Sequence, residues 1–232
     1  QGVIEDFQLL FYIIQPPTPE RVKYDIFDRV NRGGTPLNKQ EMRNALYRGR
    51  CTRMLDKLCC SPEFLIATGR SINKERMKDQ YVVLRAMAFL MLHRGEFKDI
   101  PALQYRGDID DFLARFMVYV NDNAPEKLIV DYENLFIRCM QISYDLLGEN
   151  GFRFSGNGIR RPINMPLFEA LSYLFSFVPE KIDYTWASRL ILDIESVKEE
   201  FDDSRYFSGN IDSTTSVSFR FDRMDKIINR IQ

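Results

Sequence analysis

The stretch Tyr24-Asp25-Ile26-Phe27-Asp28-Arg29-Val30-Asn31-Arg32-Gly33-Gly34-Thr35-Pro36-Leu37-Asn38-Lys39-Gln40-Glu41-Met42-Arg43-Asn44-Ala45-Leu46-Tyr47-Arg48 decides how the chain folds. It reads as helix, glycine corner, helix. Ile26, Phe27 and Val30 recur at three- and four-residue spacing, so the first segment presents one apolar helical face. Asn31, Gly33 and Gly34 tolerate positive φ, which is how helices commonly end. Pro36 stops the first helix from resuming. Asn38 is a good N-cap, and Glu41 three residues on completes a variant of the capping box. Met42, Ala45 and Leu46 begin the next apolar stripe. Two glycines also let a backbone or a phosphate approach closely, with Asn31, Arg32 and Thr35 beside them. The corner is therefore either plain architecture or a functional loop.

The string from Ile26 to Leu37, followed by Glu41-Met42-Arg43-Asn44-Ala45, resembles the F-x-x-x-N-x-x-G-x-x-L…E-x-R-N-A signature of the GmrSD restriction-endonuclease family. Phe27, Asn31, Gly34 and Leu37 fall on the matching positions. The resemblance is dense over residues 24–46 and weak beyond, with an echo at Arg205-Tyr206-Phe207 and Ser216 to Arg223. It implies a ParB/sulfiredoxin-like amino-terminal half carrying an Asp-Gly-Gln-Gln-Arg motif for nucleotide hydrolysis, and a role in restriction of foreign DNA. That motif is absent here, as is the His-containing nuclease domain of such proteins. On this resemblance the chain is the carboxy-terminal helical part. Residues 1–17 are a remnant strand of the ParB-like domain, and residues 18–232 form a single helical domain. For the intact parent the resemblance implies an NTP and Mg, with DNA and the missing amino-terminal domain or a nuclease as partners. No cofactor is assigned to this chain.

The 232 residues are enough for a substantial core. Hydrophobic residues at 45% and charged residues at 28% are ordinary for a globular protein. No apolar run is long enough for a membrane span, and no secretory pattern is present, which points to the cytoplasm. The beginning at Gln1-Gly2 is expected to mark a trimmed piece. Four cysteines lack CxxC spacing and read as reduced thiols. Residues 1–107 carry 18 Lys+Arg against 12 Asp+Glu, and residues 108–232 carry 14 against 21. A polyanion would therefore contact the front half.

The fold class expected is mainly α: a multi-helix orthogonal bundle with one short amino-terminal strand at residues 7–15 and a small hairpin near 151–162. The strand reading rests on Phe7 to Gln15, aromatic and β-branched, ended by Pro16-Pro17. The hairpin reading rests on Asn157-Gly158 between alternating apolar and basic residues. Residues 39–60 are expected to continue as a basic helical segment, and Arg43, Arg48, Arg50 and Arg53 are its phosphate-contact candidates, since phosphate contact needs only clustered cations. Arg160 and Arg161 are the matching candidates in the second loop. The alternative in both places is a solvated surface.

Residues 74–93 read as a buried helix, apolar nearly all round, in which Arg85 needs a partner: Glu75, Asp79 or an acid elsewhere. His93 at its end is expected to sit where a cation is favoured. Further helices are expected at about 108–120, 126–147, 164–177 and 183–200. A last helix follows the Ser213-Thr214-Thr215-Ser216 loop.

One His excludes a two-His metal site, and no Walker, Rossmann or Gly-x-Ser-x-Gly pattern exists. No residue is assigned a catalytic role, and no metal site is expected. The nucleotide- or DNA-site candidates are Phe27, Asn31, Arg32, Gly33, Gly34 and Thr35. The leading reading is a helical module of an NTP-dependent restriction protein of the phage-defence kind, incomplete by itself as an enzyme. The other is a non-enzymatic helical interaction or scaffold module. Oligomeric state is not legible in the sequence.

Overall fold

The computed structural model describes residues 36–156, 160–181, 183–204, 206–207 and 209–231, together with residues 13, 22, 25–27 and 29. Among these residues the chain is helical, with no strand. The expected strand at 7–15, apart from exposed Ile13, and the hairpin tip Asn157–Gly158 lie outside the described residues. The hairpin's described flanks form no ladder; the amide of Asn164 bonds the carbonyl of Phe152 at 3.0 Å.

The helices are labelled in order: α1 (Lys39–Leu46), α2 (Arg50–Cys59), α3 (Pro62–Ala67), α4 (Lys78–His93), α5 (Ile109–Asp122), α6 (Glu126–Leu147), α7 (Met165–Phe175), α8 (Tyr184–Asp202) and α9 (Thr214–Ile231). Side chains at their starts satisfy orphan amides, as helix ends require. Asn38 accepts from the amides of Gln40 and Glu41, and Glu41 reaches back to the amide of Asn38 at 2.6 Å, completing the expected capping box. Ser61, Asp108, Asn164 and Asp183 cap α3, α5, α7 and α8.

α4 and α7 form the centre. Every residue from Val82 to Met91 is buried, and so is every residue from Pro166 to Phe175. α4 packs on α7, α2, α5 and α6, and α7 also packs on α9 and α6. One contiguous cluster of buried apolar side chains runs from Tyr47 to Ile228. Burial of this kind stabilises by roughly 1.5–3 kcal/mol per large side chain.

Three details differ from expectation. Residues 39–60 are two helices, not one. They break at Tyr47–Gly49, where Asn121 from α5 donates to the Tyr47 carbonyl (2.9 Å) and accepts from the Cys51 amide (2.8 Å). α4 begins at Lys78 rather than near 74, because Arg76 and Met77 adopt left-handed backbone angles, φ 56° and 57°. His93 is not a helix-end cation. Its ring stacks on Phe221 with centroids 3.5 Å apart, and burial, with the nearby Arg220 charge, lowers its pKa to about 3.

Candidate functional site, a basic cleft between α1 and the turn before α4

The corner itself, Asn31 to Thr35, lies outside the described residues; Phe27 is helical and half-buried. The segment after the corner is held in place. Pro36 and Asn38 are tied to the turn before α4: Arg76 Nη2 donates to the Pro36 carbonyl (2.6 Å) and to Glu41 Oε2 (3.0 Å), and Asn38 Nδ2 donates to the Arg76 carbonyl (2.7 Å). Left-handed angles at Arg76 and Met77 are costly for residues with a Cβ. They persist because these bonds hold the turn against the exit of the corner.

Between α1 and this turn lies a cleft of about 520 Å³. Lys39, Arg43, Arg76 and Lys78 line it, with Glu75 the one carboxylate among its lining residues. Arg43 is the central side chain, with only 1% of it exposed. Its Nη1 donates to Asp110 Oδ1 at 2.8 Å and its Nε to Gln40 Oε1 at 3.1 Å. Its Nη2 is buried and has no hydrogen-bond partner among the described residues. An orphaned charged donor is expensive and is normally satisfied. Lys39 also pairs with Asp110. Burial raises the Asp110 pKa, but the hydrogen bonds from Lys39 and Arg43 outweigh it, so the carboxyl sits below its ordinary range.

Tyr81 forms the back of the cleft, with the Arg43 guanidinium 5.3 Å from its ring centre. Its hydroxyl accepts from Arg85 Nη1 at 3.1 Å. Arg85 finds the partner the sequence demanded not on its own helix but in Glu169 of α7, with Asp212 at 2.6 Å. Glu169 also binds Arg220 of α9 at 3.0 Å. Arg85, Glu169 and Arg220 are essentially without solvent exposure. This buried ionic group joins α4, α7 and α9 directly behind the cleft.

The sequence candidates therefore separate. Arg43 belongs to the cleft. Arg50 turns away to cap the end of α5, bonding the Val120 carbonyl at 2.6 and 2.8 Å and the Ala124 carbonyl, with Glu126 at 3.1 Å. Arg48 and Arg53 are exposed on a different segment. The basic helical segment expected over 39–60 is divided by the break at Tyr47–Gly49, and Arg43 and Arg50 take different partners on its two sides. Arg160 pairs with Glu149 at 2.7 Å and Arg161 with Asp202, at a second cavity that shares no lining residue with the cleft. Sequence reasoning missed Arg76 and Lys78. Their only local signal was the charge density of Lys74 to Lys78 just before an apolar helix.

No group of three or more His, Cys, Asp or Glu side chains among the described residues could hold a metal ion. No helix among them is long and apolar enough to cross a membrane. The described cysteines are free; Cys51, Cys59 and Cys139 are buried, and burial pushes the Cys139 thiol up to about 12.

The chain matches no family model, no curated protein and no solved structure.

Proposed function

We propose that this chain is a phosphate-binding helical module of a GmrSD-like, NTP-dependent restriction protein. In this reading the 31–35 corner and the Arg43 cleft form one half of a nucleotide or DNA site, and the chemistry is performed by a partner domain. The observation that carries the reading is the buried Arg43 Nη2, a charged donor without a partner among the described residues, in a cleft lined by Lys39, Arg43, Arg76 and Lys78, of which the first three are also paired with Asp110 or Glu41. Guanidinium forks match phosphate oxygens, and a protein-side donor left open is what an anionic ligand would satisfy. The bonds from Arg76 to Pro36 and Glu41 support it further, since they fix the exit of the corner against the cleft.

The test is a titration of the chain with ATP and with a short DNA duplex at two salt concentrations. Binding through phosphate contacts weakens steeply with salt. Lys78→Gln weakens it further without lowering the melting temperature, since Lys78 is exposed. Absent or salt-independent binding argues against the reading.

A second reading, a helical interaction module, is favoured by a different observation. Asp110, the partner of Arg43, also lines a groove of about 730 Å³, together with Leu103, Val118, Tyr119, Asp108 and Asp111. Under this reading the groove takes a partner segment, and the Arg43 side chain is unaffected by phosphate.

A further inference from the structure

The second cavity has a volume of about 670 Å³, within the usual range for small-molecule sites. It is lined by Arg153, Arg160, Arg161 and Lys198 against Glu149 and Glu195. Two of these cations are nearly without solvent exposure, Arg153 at 4% and Lys198 at 5%.

Arg153 is the unusual one. A buried charge normally faces an opposite charge. Every acceptor of Arg153 is neutral: the carbonyls of Glu149 (3.2 Å), Thr68 (3.2 Å) and Arg161, and the hydroxyl of Ser71. These bonds orient the guanidinium without cancelling its charge. The one carboxylate close by, Glu149, is bound to Arg160 instead. Burial, together with the Arg160 charge, lowers the Arg153 pKa.

The remaining charges are arranged so that they can change partners. The Arg160–Glu149 pair is 45% and 52% exposed, and the Arg161–Asp202 pair 39% and 34%. Exposed pairs of this kind are worth at most about 1 kcal/mol, so both arginines can trade a carboxylate for a better anion at little cost. The Arg160–Glu149 pair lies close against the backbone of Gly69. Gly69 has φ 59°, and a Cβ there would overlap Arg160 Nη2 and stand 2.7 Å from Glu149 Oε2. Lys198 is paired with Glu195 of its own helix at 2.8 Å, a carboxylate 41% exposed, and its Nζ lies 3.5 Å from the Asn150 carbonyl.

We propose that this cavity binds a small ligand through a diphosphate group, with Arg153 as the fixed countercharge and Arg160, Arg161 and Lys198 closing on the remaining phosphate oxygens. Several guanidiniums around one pocket suit a multiply charged, planar-edged oxyanion better than a single carboxylate. The site is independent of the Arg43 cleft, and neither proposal rests on the other. Free pyrophosphate and a nucleoside diphosphate share this chemistry.

The test follows the arginine Nε–H resonances of the 15N-labelled full chain during titration with inorganic pyrophosphate, and then with ADP. The Arg153 and Arg160 resonances are expected to shift saturably with either ligand. Tighter binding of ADP identifies a nucleotide, and tighter binding of pyrophosphate identifies the free diphosphate. Arg160→Gln is expected to weaken the affinity about tenfold, the loss of one charge-assisted contact, with an unchanged melting curve. Should that variant melt early, Arg161→Gln gives the same reading. The proposal is overturned by still Arg153 and Arg160 resonances at millimolar pyrophosphate, by shifts confined to Arg43, or by wild-type affinity in both folded variants. Displacement of pyrophosphate by duplex DNA but not by ADP would also overturn the small-ligand assignment.

Discussion

Arg43 and Asp110, 67 residues apart in sequence, meet at 2.8 Å and tie α1, which lines the basic cleft, to α5. The pair is incomplete: Asp110 also serves Lys39, while Arg43 keeps one donor unspent among the described residues. Asp110 is thus shared between two of the cleft's cations, while Arg76 is paired with Glu41.

That sharing gives the pair a pH signature. The Asp110 carboxyl is held below its ordinary value of 3.8 in the folded state, so its contribution is present above that value and is lost as pH falls through the folded pKa. Asp110→Asn is expected to flatten the acid limb of stability below about pH 4. Urea melts at pH 5 and pH 3 check this, and an unchanged loss in the variant would contradict it.

His93 titrates in a separate window. The chain has a single histidine, and it stays neutral when folded, with a pKa near 3 against an ordinary 6.5. The unfolded chain takes up a proton below pH 6.5 and the folded chain does not. Stability should therefore fall as pH drops from 6.5 towards 5, by at most ~1.4 kcal/mol per pH unit. His93→Phe keeps the stack on Phe221 and should abolish that slope. A slope that survives the substitution refutes this account of the histidine.

Glu169 bridges Arg85 and Arg220, and all three are essentially without solvent exposure. Removing only the acid leaves two buried guanidiniums poorly compensated. Glu169→Gln should cost about 3–5 kcal/mol, the usual penalty for breaking a buried ion pair from one side. Chemical denaturation measures it; a cost under ~1 kcal/mol would mean that Asp212 or water compensates the charges.

Gly69 offers a backbone test of the second cavity. Gly69→Ala introduces a side chain at φ 59° and pushes on Arg160 and Glu149. The expected cost is about 1–2 kcal/mol from the left-handed angle alone, with diphosphate affinity reduced as Arg160 is displaced. Unchanged stability and affinity would show that the turn relaxes freely.

Local features were legible in the sequence. The Asn38–Glu41 capping box, the buried run from Val82 to Met91 and the span of α6 all follow from spacing and cap chemistry within a few residues. Arg85's need for a partner was legible too, but not that partner's identity, because Glu169 stands 84 residues away and only the packing of α4 on α7 brings it near. The basic segment of residues 39–60 shows the same limit of local reading. Charge clustering along a chain does not say which cations turn inward, and Asn121, from α5, sets the break that separates Arg43 from Arg50. Arg76 entered the site through left-handed angles stabilised by Pro36 and Asn38, a tertiary effect with no local pattern.

The most direct measurement of the central claim is the Arg43 Nε–H resonance during titration of the folded chain with inorganic pyrophosphate. A phosphate-binding cleft predicts a saturable shift at Arg43, weakened about tenfold by Lys78→Gln, the loss of one charged contact. A stationary Arg43 resonance at saturating ligand, or the same affinity in the Lys78→Gln variant, would contradict the claim and leave the cleft as architecture.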